Sequence, residues 1–101
     1  MNGAPLQQKV VISNPQGFHM RPMAAFAQLA SRFESSVKVS REGQSVNGKS
    51  ILDLMLLAAA QGTELTVEVT GADAEAALDA LVGLLKTPPE DDSPEPPVSR
   101  N

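Results

Sequence analysis

The sequence contains no cysteine, no tryptophan and no tyrosine, and a single histidine. Without cysteine no disulfide can staple the chain and no thiolate can hold a metal. One histidine cannot build a multi-histidine centre, so neither a metal nor a cofactor is expected. Phenylalanine, with three copies, is the only aromatic, and the net charge is −4. An acidic chain with so few rings to stack on bases lacks the footprint of a nucleic-acid binder. No apolar run approaches the ~20 residues that span a bilayer, so no membrane insertion is expected. The opening stretch, MNGAPLQQKVV, has no basic segment leading into a long apolar one, so no secretory signal is expected either. These absences together point to a cytoplasmic protein.

What is present suits one domain. A chain of 101 residues, 42% of them hydrophobic, can bury one modest core. Composition shifts near Thr87. Five of the eight prolines lie beyond it, together with Glu90, Asp91, Asp92, Glu95 and a single base, Arg100. That stretch therefore carries three of the net negative charges. With Val98 its only apolar residue, it has too little to bury to offset its ordering entropy. Residues 1–87 are read as the domain and 88–101 as a disordered, proline-rich acidic tail.

Within the domain the apolar spacing alternates between two periods. Residues 9–12 form a short β-rich run, closed by the turn cluster Asn14-Pro15-Gln16-Gly17. From Arg21, Met23, Phe26, Leu29/Ala30 and Phe33 recur every three or four residues, which predicts a helix. Pro22 suits its first turn, where a missing N–H costs nothing. Val37 and Val39 predict a strand, Arg41-Glu42-Gly43-Gln44 a hairpin turn, and residues 45–47 a short return strand. Ser50 precedes a second helical stripe of Ile51, Leu54, Met55 and Ala58, ended by Gly62. Leu65, Val67 and Val69 alternate with polar residues as a half-buried strand. Asp73 is placed to cap a third helix carrying Ala74, Ala77/Leu78, Leu81/Val82 and Leu85. The order is β-α-β-β-α-β-α. One apolar face per strand means helices cover one side only. The expected fold is an α+β open-faced β-sandwich, a four-stranded antiparallel sheet with three helices on one face.

The lone histidine sits in Asn14-Pro15-Gln16-Gly17-Phe18-His19-Met20-Arg21-Pro22, at a strand-to-helix junction. A helix start presents amides without intrahelical partners and a partial positive charge. Arg21 adds a full charge two residues on. That setting suits an anion, above all a phosphoryl group. A neutral ring nitrogen is a nucleophile, so the inferred chemistry is reversible capture of a phosphoryl group as phosphohistidine. A lone loop histidine is often incidental; its place before Arg21-Pro22 at a helix start argues for function.

Gly17-Phe18-His19-Met20-Arg21-Pro22 resembles the active-site signature of the HPr family, the histidine-containing phosphocarriers of the bacterial phosphoenolpyruvate:sugar phosphotransferase system. Asn47-Gly48-Lys49-Ser50-Ile51-Leu52 is similar to the family's second signature, around a regulatory serine. The resemblance spans residues 7–87. It implies that His19 accepts phosphate from phospho-enzyme I, on ring Nδ1, and passes it to enzyme IIA domains, with Arg21 stabilising the phosphohistidine. It implies regulation at Ser50 by an HPr kinase/phosphorylase. Two departures stand out. Met20 occupies a position where many members have alanine, and the acidic tail is additional.

The second predicted helix holds more apolar residues than one stripe can bury, which signals an exposed docking patch. The resemblance points to Ile51, Leu52 and Met55 as its contacts, with Met20 beside the histidine. A monomer is expected, acting as a carrier that depends on partner enzymes for catalysis. The alternative is a regulatory interaction module controlled by Ser50 with little role in sugar transport.

Gly43-Gln44-Ser45-Val46-Asn47-Gly48-Lys49-Ser50 also fits the nucleotide-binding pattern G-x-x-x-x-G-K-[ST]. Val46 suits a return strand better than a phosphate loop. Only one strand follows, too few for a doubly wound parallel sheet.

Overall fold

The computed structural model describes residues 4–57 and 59–86. The expected tail, residues 88–101, and Ala58 of the second stripe lie outside the described residues. The elements are β1 (Leu6–Val11), α1 (Met20–Ala30), β2 (Ser36–Arg41), β3 (Gln44–Asn47), α2 (Ile51–Met55), β4 (Glu64–Thr70) and α3 (Ala74–Leu85). The strands form one antiparallel sheet in the order β1-β4-β2-β3. This is the expected open-faced α+β sandwich.

Strand alternation sets its two faces. Val10, Val37, Val39, Val46, Leu65, Val67 and Val69 are buried beneath the helices. Lys9, Lys38, Glu64 and Glu68 take the intervening positions and are exposed or half-buried. The helices contribute Met23, Phe26, Ala27, Ala30, Leu54, Ala77, Leu81, Val82 and Leu85 to the same core. Phe26 and Leu54 are fully enclosed.

Several boundaries differ from the sequence reading. β1 starts at Leu6, because Leu6, Gln7 and Gln8 pair with Val69, Glu68 and Val67 of β4. The ladder extends the strand where composition gives no signal. The β2–β3 turn is as expected: Glu42 (φ 50°) and Gly43 (φ 87°) both adopt left-handed geometry, the two-residue turn that matches strand twist. The second helix is far shorter than its apolar stripe. The amides of Leu56 and Leu57 bond back only three residues, to Asp53 and Leu54, so the helix tightens and stops. Arg41 Nη1 takes the Leu57 carbonyl at 2.6 Å, placing a cation on the helix's negative end. Gly62 (φ 89°) is no helix cap; it donates to the Ile12 carbonyl at 2.7 Å and leads into β4.

Asp73 occupies the N-cap of α3 but does not cap it with its side chain. Its carboxylate accepts the Glu34 and Ser35 amides at 2.9 Å each and the Ser35 hydroxyl. These bonds hold the start of α3 against the segment that follows α1. They also hold the carboxyl below the ordinary carboxylate range, the Ser35 hydroxyl contributing most.

Candidate functional site

His19 is the N-cap residue of α1, with extended backbone geometry. Four contacts fix it there. The Asn14 side chain accepts the Gln16 amide at 3.0 Å, and the Asn14 carbonyl accepts the Gly17 amide at 2.8 Å, which folds the turn. Gly17 has φ 76° and lies so close to the neighbouring strap that a Cβ would stand 2.6 Å from the Ala59 carbonyl oxygen. Only glycine meets both demands. The Phe18 amide donates to that same carbonyl at 2.8 Å. The Phe18 ring is buried edge-on to Phe26, centroids 6.0 Å apart. The residue before the histidine is thus anchored in the core.

The His19 carbonyl accepts the Met23 amide at 3.0 Å and starts the helix. Its side chain makes no capping bond. The ring is half-buried, and its Nε2 is closed off from solvent without a hydrogen-bond partner. The first turn of α1 carries no acidic residue, and Pro22 has no N–H to satisfy. Arg21 lies exposed in this turn. An imidazole that makes no capping bond, at a positive helix end and two residues before Arg21, has the elements of a phosphoryl-accepting site. Among the described residues no three His, Asp or Glu side chains converge as metal ligands.

α2 runs antiparallel to α1, as contacts at both ends show. Lys49 Nζ donates to the Phe33 carbonyl at 2.8 Å, joining the start of α2 to the segment beyond α1. The Phe18–Ala59 bond joins the start of α1 to the segment beyond α2. An apolar groove of about 370 Å³ lies between them, lined by Ala24, Ala27 and Ile51 among others. Met55, at the end of α2, therefore lies toward the histidine end of the fold. Leu52 and Met55 are exposed, as the surplus hydrophobicity implies. Ile51 is half-buried, packed against the core and lining the groove. Leu56, which lies outside the contacts that the resemblance implies, is 62% exposed. Met20 is also exposed.

Ser50 caps α2: its Oγ accepts the Asp53 amide at 3.2 Å. The Asp53 carboxylate reaches back to the Asn47 amide at 3.3 Å. The nucleotide-loop pattern is resolved by the same geometry. Residues 44–47 are β3, paired with β2, and Lys49 is spent on the Phe33 carbonyl. Gly48 serves packing, since a Cβ there would stand 2.5 Å from Val37 Cγ1.

A four-stranded open-faced sandwich that presents a histidine at the start of its first helix is an architecture suited to holding a phosphoryl group. Residues 6–87 match the family model for the HPr component phosphorylation site of the phosphotransferase system. The phosphocarrier protein HPr of Cupriavidus necator is 45% identical over 80 residues, covering 79% of this chain and 90% of that protein. The crystal structure of HPr from Bacillus anthracis superposes with a TM-score of 0.77 at 40% identity, covering 80% of this chain and 96% of that one. Crh of Bacillus subtilis, whose structure is described as a domain-swapped, intertwined dimer, matches with a TM-score of 0.66 at 42% identity, covering 80% and 93%. The chain belongs to the HPr family of phosphocarriers. No helix among the described residues is long and apolar enough to cross a membrane.

Proposed function

We propose that His19 is the phosphoryl acceptor, taking phosphate from phospho-enzyme I and giving it to enzyme IIA domains. The imidazole of His19 attacks the phosphorus carried by phospho-enzyme I. The bond from that phosphorus to the donor breaks as a P–N bond to His19 forms, and attack by an enzyme IIA nucleophile then breaks that P–N bond and carries the group onward. The observation that carries this reading is the His19 ring itself, held at a helix N-cap yet making no cap. The closed Nε2 favours attack through Nδ1. Arg21 and the helix end offset the charge that the phosphate brings. The protein holds the group; its partners supply the catalysis. Incubation with phosphoenolpyruvate and active enzyme I tests the reading. It predicts acid-labile phosphate on His19, none in His19→Ala, and transfer onward to an added enzyme IIA domain. An unlabelled protein in the presence of demonstrably active enzyme I would refute it.

Leu52, Met55 and Leu56 with Met20 form the docking surface in this reading, Ile51 supporting it from the groove. Ser50 lies at the edge of that surface, where phosphorylation by an HPr kinase/phosphorylase would add charge. A second reading, a regulatory module controlled at Ser50, is favoured by the likeness to Crh, an HPr-like protein, at 42% identity. Phosphate on Ser50 that promotes partner binding, with little onward transfer from His19, is its signature. We take the functional unit to be one copy of residues 1–87. Sedimentation separates that monomer from a swapped dimer of the kind described for Crh.

A further inference from the structure

Among the described residues three methionines occur, and the fold treats them differently. Met23 is 6% exposed, whereas Met20 is 51% and Met55 44% exposed. Met20 follows His19 directly, and Met55 ends α2, which runs antiparallel to α1 and so points back to the same end of the molecule. The two exposed methionines thus both lie toward the end of the fold that holds His19. The chain has no cysteine, so no thiolate competes for an oxidant.

We propose that Met20 and Met55 form a peroxide-modifiable site whose oxidation weakens partner docking at the His19 end. Hydrogen peroxide transfers one oxygen to each sulfur. The O–O bond breaks, an S–O bond forms, the thioether loses two electrons, and water leaves. The sulfoxide is polar where the thioether was apolar and deformable. A docking partner must then desolvate a strong acceptor instead of covering an apolar surface. Met23, sealed in the core, is spared. The effect on transfer rests on the docking reading above; the site of oxidation does not.

The test treats the full chain with dilute hydrogen peroxide, removes it with catalase, and maps sulfoxide by peptide mass spectrometry. Phosphorylation by limiting enzyme I is then timed. Sulfoxide is expected at Met20 and Met55 well before Met23, with a fall in rate of about tenfold, the equivalent of one apolar anchor lost. In a Met20→Leu/Met55→Leu double variant, whatever its untreated rate, that rate is the same before and after peroxide. Equal oxidation of Met20, Met23 and Met55, an unchanged rate in fully oxidised protein, or an equal fall in the double variant would each overturn the proposal. Failure of untreated protein to accept phosphate strikes the carrier reading itself, and the transfer effect with it, but leaves the sulfoxide map standing.

Discussion

The Phe18 amide donates to the Ala59 carbonyl at 2.8 Å, and the same carbonyl stands where a side chain on Gly17 would begin. One oxygen thereby sets both the identity of residue 17 and the position of the histidine two residues on. Gly17→Ala must push that strap away and hold a left-handed φ that alanine resists. The expected cost is about 1–3 kcal/mol by urea unfolding. His19 phosphorylation is expected to slow as well, because the ring no longer sits squarely at the helix end.

Arg21 is expected to stabilise the phosphorylated state more than the fold. Arg21→Ala removes a guanidinium from an exposed helix position, where stability changes little. The lost charge-assisted contact to phosphate is worth about tenfold to a hundredfold in the equilibrium for phosphoryl acceptance. Titration against phospho-enzyme I measures it. Unaltered equilibrium in a folded variant would remove Arg21 from the site.

Asp73 ties acid stability to the junction of α1 and α3. Its carboxyl is depressed by the Ser35 hydroxyl first and by the Glu34 amide next. A group depressed in the folded state contributes stability that is complete above its unfolded value. That contribution is lost as pH falls through the folded value. Unfolding free energy should therefore drop below about pH 4, and Asp73→Asn should flatten that part of the curve. Urea titrations of both proteins between acid and neutral pH decide the matter.

Ser50 carries two separable roles. Ser50→Ala removes the cap on α2 and is expected to cost about 1 kcal/mol. Ser50→Asp keeps an acceptor at the cap but adds charge near Asp53 and the exposed Leu52. The expected result is slower phosphorylation by enzyme I with stability closer to the parent than to the alanine variant. Parallel melts and transfer assays separate the two effects.

The sequence was most legible where periodicity and turn chemistry agreed. The alternation of Leu65, Val67 and Val69 and the Glu42-Gly43 turn gave β4 and the β2–β3 hairpin directly. His19 was visible because a lone histidine preceded Arg21-Pro22 at a helix start. The stop of α2 at Met55 was not legible, because the apolar stripe runs on past it while the Leu56 and Leu57 amides bond back only three residues and Arg41, distant in sequence, donates to the Leu57 carbonyl. Asp73 looked like an ordinary cap, since no local signal reveals a carboxylate bonded to residues 38 and 39 positions away. The early part of β1 was invisible for a similar reason: Gln7 and Gln8 become strand only through β4. Local pattern marked His19 as the candidate, while the Phe18–Ala59 bond that anchors its neighbour links residues 41 positions apart and left no local signal.

The most direct test is the imidazole nitrogen spectrum of His19 after phosphorylation by enzyme I and phosphoenolpyruvate. The account predicts a single phosphohistidine with phosphate on Nδ1, since Nε2 is sealed and unpartnered. Phosphate on Nε2, or on a residue other than His19, would contradict it.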